Sequence, residues 1–100
     1  MNMNNTTYSF HQDAGHGWLE VPREELRLLG LLDKISSYSY HYGNKVFLEE
    51  DMDAGTFIEA KGRSIAGFAD SIDLKVIDDG DDSFVRYLPS FAFNPLTDTH

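Results

Sequence analysis

Three side chains with metal-ligating chemistry, His11, Asp13 and His16, fall within six residues of one another. Imidazole plus carboxylate is a set that transition metals accept. The two histidines leave opposite arms of a tight turn, and no fourth ligand is signposted nearby. The favoured reading is a surface turn with ordinary histidines. A small metal-binding domain or metal-dependent enzyme on these three residues is the alternative. The run Asp78-Asp79-Gly80-Asp81-Asp82 offers clustered oxygens of the kind hard cations bind. An EF-hand loop, however, has glycine sixth and a bidentate Glu twelfth, whereas here glycine is third and the twelfth place is Pro89. A turn with solvated charges fits better. Glu49, Glu50 and Asp51 would need burial to raise a carboxyl into acid–base service, and their polar surroundings predict exposure. Neither a G-x-S-x-G elbow nor a G-x-x-x-x-G-K phosphate loop is present. Without cysteine the chain has no disulfide, zinc ribbon or thiol nucleophile. It therefore reads as a non-enzyme without catalytic residues, metal or cofactor.

Charge is the stronger signal. The 100 residues carry 17 acids and 8 bases, a net charge of −9. Residues 1–50 have seven acids against four bases, and residues 51–100 have ten against four. Eight of those ten lie in two runs, 51–53 and 70–82. Like charges gathered this way repel one another, so the arrangement points to a positively charged partner. Direct binding to a phosphate backbone is disfavoured. A basic groove built for nucleic acid is the complementary surface. The candidate partner-binding residues are accordingly Glu49, Glu50, Asp51, Asp53, Asp78, Asp79, Asp81 and Asp82. Tyr38, Tyr40 and Tyr42 join them as anchors, since tyrosine gives large contact area at low entropic cost. The competing reading packs those tyrosines on the core. Trp18 is assigned to the core.

The elements that hold these residues follow from periodicity. Residues 6–11 alternate Tyr8 and Phe10 with small polar groups, the pattern of a half-buried strand. A turn at Gln12-Asp13-Ala14-Gly15 and a return strand over 17–21 complete a hairpin. Pro22 suits a helix start, Glu24 and Glu25 complement its dipole, and Gly30 suits its end; the helix spans 22–29 with Leu26, Leu28 and Leu29 as its apolar face. Residues 31–36 connect, carrying Leu32 and Ile35 inward. The alternating stretch 37–42 is open between a paired strand and an extended loop, the loop being favoured, and 45–48 reads as a strand. Asp53 is the expected N-cap of a second helix ending at Gly67, with Phe57, Ala60, Ser64, Ile65 and Phe68 at helical spacing. Strands at 71–77 and 83–88 follow, the last packing Phe84 and Val85 and halted by Pro89. Phe91 and Phe93 supply a final core patch before the tail frays at Thr97. The fold class is α+β: one domain over 1–100, a twisted, mainly antiparallel sheet of about five strands with two helices on one face, in the order β-β-α-β-α-β-β.

One stretch is familiar as a string. His16-Gly17-Trp18-Leu19-Glu20-Val21-Pro22, Leu29-Gly30, Asp33-Lys34-Ile35-Ser36 with Tyr38-Ser39-Tyr40, and Val46-Phe47-Leu48-Glu49-Glu50-Asp51 with Asp53-Ala54 resemble small proteins carried by phages, prophages and plasmids. The likeness covers about residues 8–60 and stops before 61–76. It implies no enzymatic activity. Chains of this size, acidity and setting look like anti-CRISPR proteins, many of which occupy DNA-binding surfaces of CRISPR complexes. The resemblance thus implies a phage-type inhibitor that acts by acidic DNA mimicry on a CRISPR surveillance complex, with an accessory phage protein as another alternative. With no signal-peptide pattern and no apolar run near the ~20 residues of a membrane span, the expected setting is the bacterial cytoplasm. No membrane is involved, and a monomer is favoured.

Overall fold

The computed structural model describes residues 6–64, 72–96 and 98. Its elements are β1 (Thr6–Gln12), β2 (Gly17–Pro22), α1 (Arg23–Leu28), β3 (Tyr40–Tyr42), β4 (Lys45–Glu49), α2 (Asp53–Ser64) and β5 (Ile72–Asp78), with 3-10 turns at Leu32–Lys34 and Phe84–Tyr87. The sheet runs β3-β4-β2-β1-β5. Three of its neighbour pairs are antiparallel, and β5 lies parallel to β1 at one edge. The architecture is the expected α+β one.

Period-2 alternation sorts the strand residues between two faces. Tyr8, Leu19, Val21, Val46 and Leu48 turn to one face, where Leu26 of α1 and Phe57 and Ala60 of α2 complete the larger core. Both helices therefore cover the same face, as expected. Phe57 is fully buried and meets the Tyr8 ring edge-on at 5.3 Å. On the opposite face Trp18, Phe47 and Val85 form a smaller cluster, flanked by Tyr40 and Leu88.

Local chemistry explains the joints. The carboxylate of Asp13 accepts from the N–H groups of Gly15 and His16, both at 3.0 Å, and this closes the β1–β2 turn. Gly30 takes φ 72°, and the N–H groups of Gly30 and Leu31 donate to Arg27 and Leu26 carbonyls, a Schellman end for α1. Leu26 and Leu31 are both buried behind it.

Several expectations need correction. Residues 40–42 form a strand, because Tyr40, His41 and Tyr42 pair with Phe47, Val46 and Lys45. Residues 83–88 do not. Ser83 accepts from the Val85 N–H and starts a 3-10 turn over Phe84–Tyr87, so the fifth strand is 40–42 and the order is β-β-α-β-β-α-β rather than the expected β-β-α-β-α-β-β. Val85 is buried, but Phe84 is 48% exposed. Leu28, expected on the apolar face of α1, is exposed. Phe91 is buried and Phe93 packs against the core, as expected. The expected helix end at Gly67, the face residues Ile65 and Phe68, Asp70, Ser71 and Thr97 lie outside the described residues.

Candidate functional site

Register brings the two acidic runs together. Gln12 pairs with Gly17 on one side and Asp78 on the other, and the Glu50 N–H donates to the Gly17 carbonyl. The ends of β4, β1 and β5 and the start of β2 therefore share one end of the sheet. Three strand spacings separate Glu50 from Asp78, about 14 Å. Asp13 lies between them, with Arg86 bonded to it. At this end Asp13, Glu49, Glu50, Asp51, Asp53, Asp78, Asp79, Asp81 and Asp82 lie together, and Arg86 is bonded to Asp13 among them. The bases Arg23, Arg27, Lys45 and Lys61 belong to the far end and are matched there by Asp98, Glu24, Glu20 and Glu25.

These carboxylates do different things. Asp53 is 2% exposed, and its Oδ2 accepts from Ser36 N–H, Ser36 Oγ and Ser39 Oγ at 3.0, 2.7 and 2.6 Å. It is the first residue of α2 and not its side-chain cap. Buried this way, it also cannot meet a partner. Glu49 takes over the helix start: its carboxylate accepts from the N–H groups of Asp51, Met52 and Asp53, donors that an α2 beginning here leaves without helical partners. Glu49 is half-buried rather than exposed. Asp79, also half-buried, accepts from Ser83 Oγ at 2.6 Å, and exposed Asp82 accepts from the Tyr87 hydroxyl. Glu50, Asp51, Asp78 and Asp81 are exposed.

Asp13 is the electrostatic hinge of this end. Its side chain is wholly buried although its partner Arg86 is partly exposed. The Arg86 guanidinium grips both oxygens, Nη2 at 2.8 Å from Oδ1, and the Ser83 N–H adds a bond of 2.9 Å. The guanidinium first, then the Ser83 amide, hold the Asp13 carboxyl well below the usual carboxylate range. Nothing in the local sequence signals a pair 73 residues apart.

Beside the acids lies a cleft of about 360 Å³. Trp18, 3% exposed, supplies its buried part, and Tyr38 and Met52, 76% and 66% exposed, its most open part. Tyr40 meets Trp18 edge-on at 6.2 Å, and the Arg86 guanidinium lies 5.3 Å from the Trp18 ring centroid. His16, Glu49 and Asp51 complete the lining. Two of the three expected tyrosine anchors, Tyr38 and Tyr40, thus meet the first acidic run. Tyr42 does not: it pairs with Lys45 at the far end of β4. Sequence reasoning missed His16, Met52 and Arg86 as neighbours of those tyrosines and assigned Trp18 to the core alone.

The histidine set does not converge. His11 is buried, with Nε2 2.8 Å from Glu20 Oε1 and Nδ1 3.5 Å from Asp79 Oδ2, and its ring packs against Phe47 and Phe84. Asp13 is taken by Arg86, and His16 faces Trp18 at 6.1 Å. Among the described residues no three His, Asp or Glu side chains are grouped to hold a metal ion, and no helix is long and apolar enough to cross a membrane. No family model matches this chain, nor does any curated protein or solved structure.

Proposed function

We propose that the acidic sheet end is a nucleic-acid decoy: a non-enzymatic, phage-type inhibitor surface that occupies the basic DNA-binding groove of a CRISPR surveillance complex. One observation carries the reading. Two acidic runs far apart in sequence share one end of a sheet, while four of the chain's eight bases are paired at the other. Their separation of about 14 Å is similar to the roughly 12 Å width of the DNA major groove that divides two phosphate strands. The solvated members, Glu50, Asp51, Asp78, Asp81 and Asp82, stand for phosphates toward Lys and Arg of the partner. Asp53, Glu49 and Asp79 hold the frame that carries them.

The reading is tested on a purified surveillance complex. Protein and target DNA should exclude one another, and the affinity should fall steeply with salt, as it does where charge steers association. Replacing Glu50, Asp78, Asp81 and Asp82 together with Lys should abolish inhibition while leaving the fold intact. Simultaneous binding of protein and DNA, or an affinity indifferent to salt, overturns it.

A further inference from the structure

We propose that the cleft beside the acidic end is a receptor for one arginine side chain of a protein partner. The inference deepens the decoy reading and rests on it for the partner's basic character. The cleft already holds one guanidinium in a recognisable way. Arg86 stacks 5.3 Å from the Trp18 ring while its edge is gripped by Asp13, the aromatic face plus bidentate carboxylate that guanidinium favours over ammonium. A second set of the same parts faces the same space. Tyr38 and Tyr40 supply rings, Asp51 supplies a carboxylate, and exposed Met52 supplies a flexible apolar surface for an alkyl stem.

Charge decides the class of ligand. Arg86 is balanced by Asp13, and Glu49 is consumed by three backbone N–H groups. The Asp51 carboxylate has no hydrogen-bond or ion-pair partner among the described residues. The vacant half of the cleft is therefore negative and aromatic, which suits a cation. Tyr38 is 76% exposed, and a guanidinium plane stacked on its ring would cover it.

Trp18 is the chain's one tryptophan, so its fluorescence and indole N–H resonance report on this cleft alone. The probes are N-acetyl-arginine amide and its neutral isostere, N-acetyl-citrulline amide, titrated into the whole chain. Arginine amide should give a saturable response, and citrulline amide should bind at least about 3-fold more weakly. Tyr38→Ala and Asp51→Asn, both at exposed positions, should each weaken arginine binding by about 3-fold with unchanged melting. Absence of a saturable Trp18 response, an equal response to citrulline, or full binding in both variants overturns the proposal. Arginine amide binding without competition against target DNA keeps the cleft and discards the decoy. Competition with a silent Trp18 keeps the decoy and discards the cleft.

Discussion

Asp51 and Asp53 carry the same group two positions apart, yet one is solvated and the other gathers three donors on a single buried oxygen. The difference lies in what truncation leaves behind. Asp53→Ala strands the Ser36 amide and the Ser36 and Ser39 hydroxyls, groups that cost most when unpaired out of water. Its expected cost is about 2–4 kcal/mol, whereas Asp51→Ala should stay within about 0.5 kcal/mol; urea unfolding of both variants checks the contrast. Asp13 makes a prediction in pH. Its carboxyl is held below the ordinary range in the folded chain, so the unfolded chain takes up the proton first as pH falls. The stability it confers should be complete above about pH 5 and erode below about pH 4, toward its folded-state value. In a series of melts from pH 7 downward, Asp13→Asn should be less stable at neutrality and lose less on acidification. Equal slopes for the two proteins would contradict this.

Elements meet tightly where β2 begins. A Cβ on Gly17 would lie 2.6 Å from Cε2 of Phe10, so the ring must move before any larger residue fits. Gly17→Ala should cost about 1–3 kcal/mol, and Phe10→Ala in the same chain should recover part of that loss, a non-additivity read by a double-mutant cycle. The second 3-10 turn depends on Ser83, whose hydroxyl receives the Val85 amide; Ser83→Ala should lower stability by about 1 kcal/mol in denaturant melts. Most of this level was legible beforehand. Tyr8, Phe10, Trp18 and Leu19 announced the first hairpin, and Gly30 announced the end of α1, because those signals are local. The two misreadings have non-local causes. Tyr40–Tyr42 becomes a strand because β4 offers it an edge. Residues 83–88 leave the sheet because Asp13 takes the Ser83 amide and Val85 fills the space over Trp18 and Phe47.

At the scale of the molecule, the sequence displayed the acidic runs but not their meeting. Asp51 and Asp78 come to one end only through the parallel register of β5 on β1, a pairing that no short window encodes. The cleft was half visible: Tyr38 and Tyr40 stood out by alternation, whereas Arg86 reaches them through a partner 73 residues away. Composition also concealed that Asp53, Glu49 and Asp79 are structural. The segregation has its own signature in solution. Reversing Asp78, Asp81 and Asp82 to Lys should reduce the salt sensitivity of partner binding far more than reversing Glu24 and Asp33 at other places on the surface. Binding measured across a salt series compares the two variants.

Uneven placement of charge along the strands makes the molecule a permanent dipole. Of 17 acids in the chain, nine gather at this sheet end among the described residues, with Arg86 bonded to one of them. Toward any cationic surface the molecule turns one pole first, before a single contact forms. An anion-exchange resin should therefore retain it longer than a chain of equal net charge spread evenly, and two such molecules approaching pole to pole repel.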